Sequence, residues 1–178
     1  MNAEARARLK QLLEGQRVLS LAVLVEGEAH LGLLPFAVLP DHSGVLVHVS
    51  TLAKHTRGLS EPGTVALLIH QSEEAVGDPL QVPRITLRAQ ARELRRSTEE
   101  YESGKLLYLE RFPSAAVTFD LGDFKLFELK FLDGRYVESF ARAMNVSSEE
   151  LRELSPREEP KPKAKEEQPR RSWRMPRD

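Results

Sequence analysis

The chain has 178 residues, no cysteine, 40% apolar residues and a net charge of −1. That length and apolar content suit one domain with a real core, and the missing cysteine removes disulfides, thiolate metal sites and cysteine nucleophiles together. No stretch reaches the eighteen or so consecutive apolar residues of a membrane span, and the polar start, Met1 to Lys10, is unlike a secretory signal, so a cytoplasmic protein is expected.

From Ala3 to Glu14 the residues Ala5, Leu9, Leu12 and Leu13 recur at helical spacing, with Gly15 as a stop. Arg17–Val25 is apolar and β-branched, which predicts a buried strand. Glu26 to Glu28 turns into a second strand, Ala29–Leu39, where Pro35 lacks an N–H and marks an edge or bulge. After the turn cluster Pro40 to Gly44 comes a third strand, Val45–Val49. A short helix is expected from Ser50 to Leu59, then a fourth strand, Thr64–His70, and a polar loop, Gln71–Val82.

Arg84–Arg92 alternates, with Ile85, Leu87, Ala89 and Ala91 on one face and Arg84, Thr86, Arg88, Gln90 and Arg92 on the other. Ser97 with Glu100 reads as a capping box opening a helix to about Phe112, which Pro113 ends. Its Tyr101, Leu106, Leu107, Tyr108, Leu109 and Phe112 predict packing. Phe124–Phe131 is a strand, and Asp133-Gly134 signals a hairpin into Arg135–Phe140. Ser147 with Glu150 caps a last short helix. Seven strands joined mostly by hairpins, with no regular β–α alternation, predict a mainly β, antiparallel split barrel flanked by helices.

The domain is expected over residues 1–154. The segment 155–178 holds eight Lys and Arg, five Asp and Glu and five Pro, a net +3 that leaves −4 on the rest. With Trp173 and Met175 as its only large apolar residues it cannot build a core, and it reads as a disordered tail or an electrostatic tether. An acidic body is a poor footprint for nucleic acid.

The densest chemistry lies between His48 and Arg57, where a strand end gives way to hydroxyls and a helix. Ser50, Thr51 and Thr56 offer hydroxyls, and Lys54, His55 and Arg57 offer basic nitrogens, a set able to hold a phosphate. The same residues also fit a capped surface helix. Arg84, with Arg88 and Arg92, is either a solvated strand face or a second anion contact. Pro35 and Phe36 fit either close approach to a flat ring or plain core packing. The five histidines include no His-x-x-x-His pair or other ligand-like cluster, so no protein-bound metal is expected. His48 and His70 read as strand histidines, and His55 as the candidate by its neighbours. There is no phosphate-loop motif, dinucleotide glycine fingerprint or nucleophile elbow, and no catalytic side chain is assigned.

Several segments occur in a telling order: Leu33 to Ala37, then Ser50, Leu52, Ala53, His55, Thr56 and Arg57, then Pro83 to Leu87. Tyr108 to Pro113, Gly122 to Phe127 and Gly134 to Ala141 follow. The series resembles the pyridoxamine 5′-phosphate oxidase-like FMN-binding split barrels, most of all their haem-utilisation branch, over roughly residues 9–146. The resemblance implies a homodimer with FMN at its interface. The phosphate would fall to Ser50, Lys54, His55, Thr56 and Arg57, with Arg84 lining the cleft and Pro35 and Phe36 near the flavin ring. It implies flavin-mediated redox of a small-molecule substrate, with haem binding or a non-catalytic flavin module as alternatives. In one respect the chain departs from the branch: Met144 stands where its haem-ligating histidine is expected.

Overall fold

The computed structural model describes residues 1–155; the charged segment expected after them lies outside the described residues. Helix α1 (Ala3–Gly15) leads into β1 (Val18–Val25), β2 (Glu28–Val38), β3 (Gly44–Ser50), α2 (Lys54–Ser60), β4 (Thr64–His70) and β5 (Arg84–Leu94). Helices α3 (Glu99–Arg111) and α4 (Ala116–Phe119), strands β6 (Phe124–Ser139) and β7 (Arg142–Ser147), and α5 (Ser148–Arg152) complete it. The strands lie in the order β3-β2-β1-β4-β5-β6-β7, and pairing of β3 with β6 closes the first six into a barrel. All pairings are antiparallel. The expected split barrel is therefore present.

Alternation along each strand decides what the barrel encloses. Leu19, Leu21 and Val23 of β1, Leu34 and Phe36 of β2, and Val45, Val47 and Val49 of β3 face inward. Leu67 and Ile69 of β4 and Ile85, Leu87 and Ala89 of β5 join them. Leu9, Leu12 and Leu13 of α1 pack against this core. A second, smaller core lies outside the barrel, where Leu46, Leu94 and Leu126 meet Tyr101 and Tyr108 of α3 and Phe119 of α4.

Pro35 sits where β2 changes partners. Residues 28–35 pair with β1, and residues 36–38 pair with β3. The first part of β2 thus has a strand on one side only, the edge setting that a residue without an N–H tolerates. The β1–β2 turn uses Glu26 and Gly27, both at positive φ (55° and 84°), as a two-residue hairpin requires.

Three local expectations are corrected. Helix α2 begins at Lys54 rather than Ser50, because Ser50 is used in a turn: its carbonyl accepts from Ala53 N at 3.2 Å, while Thr51 N is bound to Asp123 O at 2.7 Å. Ser97 does not cap α3. It adopts φ 68°, and Thr98 takes the role, its side chain accepting from Tyr101 N. Asp133-Gly134 is not a hairpin either, since β6 runs straight through it and turns only at Phe140 and Ala141.

The physical reason lies at a bulge. Phe131 pairs with Ala89 and Asp133 with Arg88, so Leu132 has no partner on β5. A one-residue bulge flips which residues face inward, and the inward set changes from Phe127, Leu129 and Phe131 to Tyr136 and Glu138. Gly134 is needed beside it for closeness, not for a turn. A Cβ there would lie 2.7 Å from Thr86 O and 2.8 Å from a Leu87 methyl. Gly134→Ala should therefore destabilise the fold by about 1–3 kcal/mol, read as a lower midpoint in urea; an unchanged midpoint would contradict the close approach.

Candidate functional site

The outward face of the barrel is where unusual residues gather. On β1 and β2 the directly opposed pairs Val18–Pro35, Ser20–Leu33, Ala22–Leu31 and Leu24–Ala29 all point away from the core. Leu31 is 78% exposed, Leu33 69% and Leu24 64%. The face continues across β4, where Leu68 lies opposite Ser20 and Ala66 opposite Ala22. Scattered exposed leucines are ordinary, but a contiguous apolar sheet face marks a surface that something covers.

Basic groups stand at both ends of this face. At one end, Ser50 Oγ donates to Asp123 Oδ2 at 2.7 Å and accepts from Leu52 N at 3.2 Å. Thr56 is buried, and its hydroxyl donates to Ser50 O at 2.6 Å. The hydroxyls of Ser50 and Thr56 are thus spent on shaping the turn, while Thr51 is exposed. Lys54 is exposed. Arg57 is exposed and pairs with Glu26 at 2.7 Å, a surface contact of little energetic weight. The His55 ring lies against β2, its Nδ1 2.8 Å from where a Cβ on Gly32 would sit, and burial lowers its pKa.

At the other end, Arg84 pairs with His70 across β4 and β5. Its Nη1 donates to Val82 O at 3.0 Å. Arg57 and Arg84 are separated by roughly the length of β1, about 25 Å, so one chain does not bring them together. Pro35 is exposed on the apolar face, whereas the Phe36 ring is wholly buried in the barrel core. Met144 lies opposite Tyr136 and packs against that core.

Sequence reasoning passed over the apolar face itself. Its signal was the pair of alternating leucines in Leu31 and Leu33 beside Leu24, legible only once the β1–β2 register is known. His48 is a core histidine, as the strand reading expected. It stacks on Phe119 (centroids 3.7 Å apart, 5° between planes), and its Nδ1 lies 3.2 Å from Thr118 Oγ1. Among the described residues there is no cluster of His, Cys, Asp or Glu fit to hold a metal ion. None of their helices is long and apolar enough to cross a membrane.

The haem oxygenase HutZ of Vibrio cholerae is 26% identical over 145 residues, which cover 80% of this chain and 81% of that protein. A solved haem-binding protein from Mycobacterium smegmatis superposes with a TM-score of 0.75 at 23% identity, over 86% of this chain and 62% of that one. A Clostridium acetobutylicum protein of the pyridoxinephosphate oxidase family gives 0.65 at 10% identity, over 85% and 99%. The fold is that of the pyridoxamine phosphate oxidase-like split barrels. The resemblance read from the sequence, to these barrels and to their haem-utilisation branch, holds. No family model matches the chain. It spans less than two thirds of the mycobacterial protein's length.

His48 also sets a pH dependence. Burial, with Arg96 and Lys105 nearby, pushes its pKa down from 6.5 to about 4. A histidine depressed in the folded state takes up its proton more readily when unfolded. Stability is therefore full above pH 6.5 and falls as the pH drops toward 4, by up to about 3 kcal/mol. His48→Phe, which keeps the stacking but cannot titrate, should flatten urea-unfolding stability across that window; an unchanged slope would assign the dependence to other groups.

Proposed function

We propose that the chain is a homodimeric haem-binding protein that holds its cofactor at the outward face of β1, β2 and β4. One observation carries the reading: Leu31, Leu33, Leu24, Val18 and Ala22 form an exposed apolar sheet face on the part of β2 that pairs with one strand only. A flat macrocycle and a second copy of the chain are each suited to cover such a surface. A two-fold axis through its middle would set the Lys54–Arg57 end of one copy beside the His70–Arg84 end of the other. The basic groups at those ends would then face one cofactor from both sides. Support also comes from the haem-related relatives, HutZ and the mycobacterial protein.

Within this arrangement haem would supply the redox chemistry of its iron. The protein's own residues would do three things. The apolar face would bury the ring and exclude water. Arg84, and Lys54 and Arg57 of the second copy, would pair with propionates through charge-assisted hydrogen bonds. The barrel, rigid on both sides of β1, would fix the orientation.

A flavin is the second reading, favoured by the basic side chains of Lys54, His55 and Arg57 within four residues. With Ser50 and Thr56 hydroxyls already engaged, the FMN phosphate would fall to those three, and the isoalloxazine ring to the same apolar face near Pro35. The flavin would then carry electrons to or from a small-molecule substrate.

Titration of the full chain with ferric haem and with FMN, each followed by gel filtration with light scattering, tests the proposal. A retained Soret band at twice the 20.1 kDa chain mass is expected. Leu33→Glu should yield a monomer and weaken haem binding at least about tenfold, since a charge would have to be buried. Retained flavin without a Soret band would put the second reading first. A wild-type monomer that holds neither cofactor would overturn both.

A further inference from the structure

We infer that His70 supplies the axial ligand to haem iron, through Nε2. The inference rests on the haem reading above and deepens it. Haem iron is held in proteins by histidine, cysteine, methionine or tyrosine, and this chain has no cysteine. Its three tyrosines, Tyr101, Tyr108 and Tyr136, are all buried. Met1 and Met144 pack against the barrel core, and Met175 lies outside the described residues.

Among the described residues that leaves the five histidines, of which His70 is the last in the chain. His42 is buried, with Nε2 held by Glu14 at 3.1 Å. His48 is stacked inside the second core. His55 is half-buried against Gly32. His30 is half-buried on the side of β2 that carries Gly32, Leu34 and Phe36, away from the apolar face.

His70 differs from all four. It is exposed, and it points outward with Ala66 and Leu68, on the face already described. Its Nδ1 lies 2.8 Å from the backbone oxygen of Gln71. A carbonyl oxygen only accepts, so Nδ1 is the donor of this contact, and in the neutral ring Nε2 carries the lone pair. Histidines that ligate metals are held in this way: the N–H given to a carbonyl fixes the tautomer and aims the ring. Among the described residues nothing bonds to Nε2.

The surroundings suit a haem edge. Arg84 stands opposite His70 in the β4–β5 register, and its side chain makes only one hydrogen bond, to Val82 O, among the described residues. That leaves guanidinium N–H groups for a propionate. Leu80 and Phe140, 60% and 63% exposed, add apolar surface at the same end of the sheet. There the backbone N–H of Phe140 donates to Gln81 Oε1 at 3.2 Å and ties the two loops together. The ligand that sequence comparison seeks near Met144 is thus replaced by one on β4.

The test is ferric haem titration of the full chain, read by absorbance, electron paramagnetic resonance and resonance Raman. The wild type should show histidine ligation. His70→Gly, with His70→Gln as a second variant that keeps strand propensity, should lose that signature and bind haem at least about tenfold more weakly. Added imidazole should restore the signature in His70→Gly. His30→Ala, on the other side of β2, should leave it unchanged. If the wild type binds no haem, the haem reading falls and this inference with it. If the wild type binds with a histidine signature that both His70 variants keep, the inference alone is overturned.

Discussion

The fold depends on one long strand. β6 pairs with β3 through residues 124–130, with β5 through residues 126–137 and with β7 through residues 133–139. It closes the barrel, carries the second core on its outer side and extends the sheet by β7. β6 changes facing partway along, and the unpaired Leu132 supplies the change. Gly134 then lets the strand lie against Thr86 and Leu87 without a side chain between them. The sheet stays open along β2: only Phe36–Val38 pair with β3, so Glu28–Pro35 have a free edge and an apolar outer face.

That consequence links fold to function. Leucines facing water on a sheet cost solubility unless they are covered, and the barrel interior is already filled. The face has basic groups at both ends, so a partner copy related by a two-fold would set basic groups beside basic groups, with room between them for an anion. A flat, anionic, largely apolar cofactor would fit between two such surfaces. The polar corner at Ser50 is then a means of placing Lys54, His55 and Arg57. Its hydroxyls hold the turn against Asp123 and the Ser50 carbonyl.

Much of the architecture was legible in the sequence because each strand has a filled inner face. β4 was read to the residue, and the alternation of β5 from Ile85 to Ala91 matched its burial. Failures came where local chemistry had two uses. Asp133-Gly134 is a turn signal in isolation, yet here the glycine serves a close strand approach. Ser97 and Thr98 are both competent caps, and backbone conformation chose the second. Ser50 looked like a helix start because hydroxyls suit both caps and turns. For the candidate site, the sequence singled out basic and hydroxyl residues but not their separation: Arg57 and Arg84 are distant in one chain. The apolar face was invisible until pairing of β1 with β2 set Leu31 and Leu33 beside Ala22 and Ser20. His70 was passed over for a related reason, since its free ring nitrogen follows from a contact to Gln71 that no spacing rule reveals.

The central claim is that the outer face of β1 and β2 is covered in solution. Hydroxyl-radical footprinting with mass spectrometry reads this directly, side chain by side chain. In the isolated chain Leu31 and Leu33 are 78% and 69% exposed, much as Leu106 and Val117 are at 70% and 69%. Leu31 and Leu33 are expected to be oxidised far more slowly than Leu106, and more slowly again once haem is added. Equal oxidation of Leu31, Leu33 and Leu106, with and without haem, would contradict it.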